Sequence, residues 1–215
     1  MNLQSTIKIL SAYRRLRWID RLHVFIRLRR PFFDAAAKFL PDKGRILDFG
    51  CGHGLLAQYL SLVSPRLRIT GIDISADKIR MAGNSRHSRR IKFIHSADTL
   101  KWLKQSGKFD SIIFLNVLYL LSPREQKQYL SAAKGHLRPG GRLIITEQDG
   151  SFVWRTRLTR WREWIMVNWL HLTSGATLVF HPHSWWIKIL HKYFKKINIV
   201  NIDSKGFQKL YLCSV

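Results

Sequence analysis

The sequence predicts an α/β fold built on a doubly wound, mostly parallel sheet. Strand-length apolar runs alternate with helical stretches between residues 45 and 147, a pattern typical of repeated β–α units. The chain has 215 residues, of which 46% are apolar and 23% are charged, so it can bury the core of one globular domain. We therefore treat residues 1–215 as a single domain.

The core elements follow in order along residues 41–150. We predict strands at 45–49, 67–74, 91–95, 109–115 and 142–147, with helices between them at 55–62, 75–82, 98–105 and 124–137. Parallel strands joined by helices place those helices on both faces of the sheet.

Specialised segments flank this core. Apolar residues at helical spacing predict one helix over 5–30, ended by Pro31, and a short helix over 32–40, so residues 1–40 form an N-terminal helical extension. A Trp-rich helical insertion follows the fifth strand over 151–184. A closing helix at 185–195 precedes strands at 198–203 and 209–213, which the turn at Lys205-Gly206 joins as an antiparallel hairpin. Region 185–215 thus completes a seven-stranded sheet.

The charge of the chain points to an anionic partner. Lys and Arg number 37 against 13 Asp and Glu, for a formal net charge of +24. Nucleic acid, an anionic membrane surface and an acidic carrier protein are the partner classes that such an excess favours. The two cysteines form no disulfide framework, and the scattered histidines form no metal site, which predicts a cytoplasmic protein without a metal. Peripheral attachment to the inner face of a membrane stays open.

A glycine cluster follows the first strand and opens a helix. Glycines there let the backbone approach a ligand, and the helix N-terminus offers free N–H donors. Asp73, at the end of the second strand, holds the position that binds ribose hydroxyls in nucleotide-binding α/β folds. A dinucleotide site would need a further glycine where Leu55 stands, whereas a site for S-adenosylmethionine (SAM), which has no pyrophosphate, would not.

Five motifs in order resemble those of the class I SAM-dependent methyltransferases. They are Asp48-Phe49-Gly50-Cys51-Gly52-His53-Gly54, Ile72-Asp73-Ile74-Ser75, Ser96-Ala97-Asp98, Phe109–Ile113 leading to Asn116-Val117-Leu118-Tyr119, and Leu137–Leu143. The resemblance covers about residues 40–150 and the closing hairpin. It implies SAM as cofactor, bound by Asp48, Gly50, Cys51, Gly52, Gly54, Asp73, Ile74, Ala97, Asp98, Asn116 and Val117.

The fourth motif narrows the expected acceptor. Methyltransferases acting on base amines often carry Pro-Pro after Asn or Asp, whereas Asn116 is followed by Val117 and Leu118. The pattern is more similar to that of methyltransferases for small or lipid-like acceptors. An oxygen acceptor usually needs proton removal, for which Tyr119, His181, His183 and Glu147 are the candidate residues.

The Trp-rich insertion has three interpretations. As a lid in this family it would form a substrate pocket, with Trp154, Trp161 and Trp164 joining Tyr119 around the acceptor. Interleaved Trp and Arg also suit a membrane interface or single-stranded RNA. We expect a SAM-dependent methyltransferase for a hydrophobic small molecule, with an RNA methyltransferase and a non-catalytic SAM-binding adaptor as alternatives. The oligomeric state is left open.

Overall fold

A computed structural model describes residues 3–14, 16, 18–29, 31–85, 88–168 and 177–215. The helices are α1 (Leu3–Ala12), α2 (Trp18–Leu28), α3 (Phe32–Ala37), α4 (Leu55–Val63), α5 (Ala76–Asn84), α6 (Thr99–Gln105), α7 (Pro123–Gly135), α8 (Val153–Asn168) and α9 (His183–Leu190). The strands are β1 (Gly44–Phe49), β2 (Leu67–Asp73), β3 (Ile91–His95), β4 (Phe109–Leu115), β5 (Leu137–Gln148), β6 (Lys196–Asn201) and β7 (Gln208–Ser214). A 3₁₀ turn spans Leu118–Leu120.

The seven strands form one sheet in the order β3-β2-β1-β4-β5-β7-β6. The first five strands in this order are parallel, and β7 runs antiparallel to both β5 and β6. This confirms the predicted mostly parallel, seven-stranded sheet with its C-terminal antiparallel hairpin. Because β7 is inverted, its first residue, Gln208, pairs with the last residue of β5, Gln148, at the same edge of the sheet.

Two apolar layers sandwich the sheet. One face packs against α1, α3 and α4 through residues such as Ile9, Phe33 and Leu60. The other face packs against α6, α7 and α9, and the fully buried Trp186 belongs to this layer. Strands buried on both faces explain the near-continuous apolar runs of β1 and β4.

The N-terminal extension is two helices, so the prediction of one helix over 5–30 was wrong. Helix α1 ends at Ala12, and Tyr13 and Leu16 continue in tighter turns, with the Leu16 amide donating to the Tyr13 carbonyl at 3.1 Å. The Tyr13 side chain is fully buried, and its hydroxyl donates to the carbonyl of His53. This contact, 40 residues away along the chain, redirects the backbone although the apolar spacing continues.

Near the C-terminus the boundaries differ by a few residues from those predicted. Strand β5 begins at Leu137 rather than residue 142, and α9 begins at His183, directly after Pro182, rather than at residue 185. Helix α8 agrees with the predicted helical insertion, whose stretch at 169–176 lies outside the described residues. Within the described ranges, every helix is too short or too polar to cross a membrane.

Candidate functional site

A cavity of about 620 Å³ opens at the carboxyl edge of the sheet. Ligands of open α/β sheets bind at this edge, where the strand order reverses. Residues after β1, β2 and β3 form one part of the wall, here called the glycine-loop half. Residues after β4 and β5 and around the start of β7 form the amide half. Helices α2 and α3 add Ile26, Arg27, Phe32 and Phe33.

The glycine loop is fastened to β2 by backbone bonds. The amides of Gly50 and Cys51 donate to the Ile72 carbonyl at 2.8 and 3.0 Å, and the Gly52 amide donates to the Asp73 carboxylate at 2.8 Å. Gly52 has φ +53°, and a Cβ there would meet nothing closer than 4.0 Å, so its missing side chain leaves open space above the loop. Gly50 is needed because a Cβ would lie 2.6 Å from a methyl of Val117.

Asp48 is a buried acid with an unused oxygen. It is 3% exposed, and its Oδ2 has no hydrogen-bond partner among the described residues. Burial, reinforced by the charge of Asp73, raises its pKa to about 7, and Arg27 opposes this shift. A cationic ligand group beside Asp48 would supply the missing partner and restore the ionised carboxylate.

Burial also sets the protonation of the histidine and the cysteine in the glycine-loop half. Burial, with Lys78 nearby, lowers the pKa of His53 to about 4, so its imidazole is neutral at pH 7. Burial and the charges of Asp48 and Asp73 hold the pKa of the Cys51 thiol well above its usual range, which keeps it protonated and unreactive. Asp73 also accepts from the Ser75 amide at 2.9 Å.

The rim beyond Asp73 is formed by Ile74, Ala97 and Asp98, all lining the cavity. Asp98 caps α6, its Oδ1 accepting from the Lys101 amide at 2.8 Å. The second oxygen of this exposed carboxylate accepts no hydrogen bond from the described residues and stays available at the rim.

The amide half brings three amide side chains together. Asn116, in a left-handed conformation with φ +53°, accepts from the Gln208 side-chain amide at 2.7 Å. Gln148 faces Gln208 in register across β5 and β7, and its Oε1 is buried without a partner among the described residues. These groups can orient a polar atom of a ligand by hydrogen bonds without a net charge.

Aromatic and aliphatic side chains surround the amides. Tyr119 is 6% exposed and stacks on Phe180 at a centroid distance of 5.0 Å, and Ile202 and Phe207 also line the cavity. Asp203 is a carboxylate of this half, held by Arg155 at 3.5 Å and by the backbone amide of Gln208 at 3.3 Å. The space suits a partly apolar ligand with one or two hydrogen-bonding groups.

Three of the residues predicted to move a proton lie outside the cavity wall. His181 stacks on Trp185 with ring centroids 3.5 Å apart, and Nδ1 of His183 lies 3.0 Å from the Tyr211 hydroxyl. Glu147 is 1% exposed and accepts from the Leu118 amide at 2.8 Å, which fixes the turn that carries Tyr119. Of the predicted four, only Tyr119 lines the cavity.

The predicted tryptophan pocket is absent from the described wall. Trp154, Trp161 and Trp164 are 64%, 61% and 53% exposed, because α8 turns its hydroxyl side, including Thr159, toward the cavity.

Gly54 also lies outside the wall. A Cβ there would be 2.4 Å from the Phe93 ring, so this glycine serves close packing of the loop on β3.

The predicted cofactor residues otherwise converge, since ten of the eleven line the cavity: Asp48, Gly50, Cys51, Gly52, Asp73, Ile74, Ala97, Asp98, Asn116 and Val117. Sequence reasoning missed Arg27, Lys78, Gln148, Asp203 and Gln208. The inverted direction of β7 was the available signal for Gln208, because it places the start of that strand at the ligand edge. Nothing local in the sequence points to Arg27.

Comparison with known proteins finds similarity to methyltransferases. A family model described as a methyltransferase domain matches residues 17–184, more than three quarters of the chain. Trans-aconitate 2-methyltransferase of Rhodopseudomonas palustris is 32% identical over 121 residues, covering 56% of this chain and 45% of that protein. Ribosomal RNA small subunit methyltransferase C of Haemophilus influenzae is 30% identical over 111 residues, 48% of this chain and 32% of that protein. The chain thus covers less than half the length of these relatives.

Solved structures agree at the level of the fold. Human N-acetylserotonin methyltransferase in complex with SAM superposes with a TM-score of 0.68 at 18% identity, covering 98% of this chain and 56% of that one. The open space above Gly52 and the unpaired carboxylate oxygen of Asp48 fit such a cofactor on this chain's own geometry.

Proposed function

The chain belongs to the methyltransferase domain family of class I, SAM-dependent enzymes, and we propose that it transfers a methyl group from SAM to a small hydrophobic acceptor, aromatic or lipid-like. The observation that carries this proposal is the continuity of the cavity. One wall has the glycine loop and acids of a nucleoside site, and the other has Tyr119, Ile202 and Phe207 beside three amides.

The glycine-loop half would hold the cofactor. Asp48 would pair with the ammonium group, Asp73 would accept from the ribose hydroxyls, and Asp98 would meet the adenine amino group at the rim. Arg27, which reaches the same wall from α2, would provide a cation for the carboxylate of SAM itself. When bound, SAM supplies an activated methyl group and its own leaving group.

The amide half would position the acceptor. Asn116, Gln148 and Gln208 can hold a hydroxyl or carbonyl oxygen, while Tyr119 and Phe207 exclude water from one side. Because His181, His183 and Glu147 lie outside the wall, the acceptor atom must be nucleophilic as bound, or lose its proton to a group that lines the cavity.

Cofactor binding is tested by titrating SAM into the purified protein. We expect Asp73→Asn to weaken binding about 10- to 100-fold, because a charge-assisted hydrogen bond is lost. The matched control is Asp77→Asn, since Asp77 is an exposed acid two residues after the N-cap of α5, and among the described residues its ion-pair partner is Arg80. Equal affinities for both variants and the wild type would contradict the assigned site.

The acceptor class is tested with methyl-labelled SAM and an extract of the source cells, fractionated into organic-soluble material, protein and RNA. Label in the organic phase supports the proposal. Label in RNA would support the second candidate, an RNA methyltransferase, which the net charge of +24 and the ribosomal RNA methyltransferase relative favour. Cofactor binding without label in any fraction would indicate a non-catalytic SAM-binding protein.

A further inference from the structure

Helix α8 is oriented opposite to an ordinary surface helix. Trp154, Leu158 and Trp161 recur every three or four residues on one side, and each is at least 50% exposed. On the other side Thr156 and Thr159 are buried, at 6% and 7% exposure. A helix that faces water normally buries its apolar stripe, so this arrangement indicates a partner for the outward side.

Helix α2, far from α8 in the sequence, shows the same pattern. Trp18, Leu22, Phe25 and Ile26 share one face and are 74%, 48%, 38% and 42% exposed, whereas Asp20, Val24 and Leu28 opposite them are buried. Ile26 also lines the cavity, as does Thr159 of α8. Both helices therefore border the cavity, and the outward face of α2 reaches its wall.

We propose that these two helix faces, called here the tryptophan faces, bind the surface of an anionic lipid bilayer. Exposed cations stand beside both, with Arg21 on α2, Arg29 directly after α2 and Arg157 on α8. Helices that lie in a membrane interface combine a Trp- and Leu-bearing side with Arg or Lys that reach the phosphates. The single acid on α2, Asp20, is buried and adds no charge to the exposed face.

Charge decides between a bilayer and a second copy of the chain. A symmetric contact through either face would bring the arginines of two copies together, each within a molecule of charge +24. Anionic headgroups neutralise those same arginines. The aliphatic members Leu22, Ile26 and Leu158 do not stack on bases, so they favour acyl chains over single-stranded RNA.

The bilayer proposal has a consequence for the reaction, and that consequence rests on the proposed function. A lipid-like acceptor could pass from the interface past Ile26 into the cavity without crossing water. Binding to the bilayer does not depend on the acceptor, so the two proposals can fail separately.

The test is flotation of the full chain with vesicles of phosphatidylcholine alone or with 30% phosphatidylglycerol, at low and high salt. We expect binding to the anionic vesicles, reduced but not abolished by salt because the apolar contact is not screened. Trp154→Ser/Trp161→Ser and Trp18→Ser/Phe25→Ser should each lower the partition coefficient at least tenfold. Val63→Ser and Ile199→Ser are matched controls, since both residues are 42% exposed on other elements, and should change it less than twofold.

SAM affinity, measured on every variant, verifies that the fold is intact. No flotation of the wild type with anionic vesicles, or flotation that both double variants retain, would overturn the proposal. Sedimentation velocity adds a third outcome against it. A dimer that the tryptophan variants dissociate, in a protein that ignores vesicles, would make these faces an interface between copies. Tryptophan-dependent binding to RNA or to an acidic carrier protein, without vesicle binding, would reject the bilayer in the same way.

Discussion

Glu147 is predicted to make the protein less stable as the pH rises. Its carboxyl group is 1% exposed, and burial raises its pKa to about 8, against the opposing effect of the amides of Leu118, Tyr119 and Val117. In the unfolded chain the same group titrates near 4.5. Between these values the folded protein holds a proton that the unfolded chain lacks, so raising the pH favours unfolding.

The size of the effect follows from the two pKa values. Stability falls by about 1.4 kcal/mol per pH unit across this window, and the fall levels off above pH 8. Between pH 6 and pH 9 the contribution of Glu147 to the free energy of unfolding should drop by about 2 to 3 kcal/mol. Asp48, whose pKa is raised to about 7, adds a smaller fall in the lower part of that range.

Glu147→Gln isolates the contribution of Glu147. The amide is neutral at every pH, and its oxygen can still accept from the Leu118 amide. We expect the stability of the variant relative to wild type to be about 2 to 3 kcal/mol higher at pH 9 than at pH 6, because only the wild type loses the contribution of Glu147 over that range. Urea unfolding followed by circular dichroism at several pH values gives the free energy of unfolding of both proteins. The contribution of Asp48 is the same in both and cancels in their difference.

Glu125→Gln is the matched control. The hydroxyl of Ser122 and then its amide hold the pKa of Glu125 below its usual range, so stability from this group is lost only as the pH falls through that lowered value. Its replacement should leave the slope between pH 6 and pH 9 unchanged. Parallel curves for wild type and Glu147→Gln would refute the reasoning, because they would mean that Glu147 is already ionised in the folded protein.

Three further changes probe the site. Gly54→Ala should lower the free energy of unfolding by about 2 to 4 kcal/mol, because φ is +75° and the new Cβ would meet the Phe93 ring. Phe93→Leu in that background should restore part of the lost stability, and a Gly54→Ala protein as stable as wild type would contradict the packing. Gln208→Leu should lower the rate of methyl transfer at least tenfold while SAM affinity stays within about threefold, since it removes the 2.7 Å bond to Asn116 in the amide half only; an equal loss of both would place Gln208 at the cofactor. His183→Asn should keep the transfer rate within about twofold, because His183 lies outside the cavity wall, and a large loss confined to the rate would return it to the chemistry.

The sequence is a good guide to the glycine-loop half because the determinants there are local. Apolar runs set the strands, and the turn after each parallel strand falls at one edge of the sheet, so Asp48, Gly52 and Asp73 converge without knowledge of the packing. The amide half depends instead on the pairing of β5 with β7. Only the register that sets Gln148 opposite Gln208 brings their side chains together.

Long-range contacts explain where the sequence misleads. The spacing of Ile9, Tyr13 and Leu16 continues as in one helix, yet the Tyr13 hydroxyl binds the backbone of His53 and ends α1. Periodicity identifies the stripe containing Trp154 and Trp161 on α8 but not the side on which the rest of the protein lies. The normal expectation, that the tryptophans face inward, fails because the hydroxyls of Thr156 and Thr159 do so instead.

The charges in the cavity argue for the kind of acceptor. Its two cations among the described residues, Arg27 and Lys78, stand with the glycine loop, whereas the two charged groups of the described lining in the amide half, Glu125 and Asp203, are both carboxylates. Arg155 already pairs with Asp203. An acceptor bearing several carboxylates would enter this half without a cation to replace its lost hydration, at a cost of several kcal/mol for each buried charge. A neutral, largely apolar acceptor with one oxygen held by Gln148 or Gln208 meets no such cost, so we expect the acceptor to lack the negative charges that the rest of the protein's surface attracts.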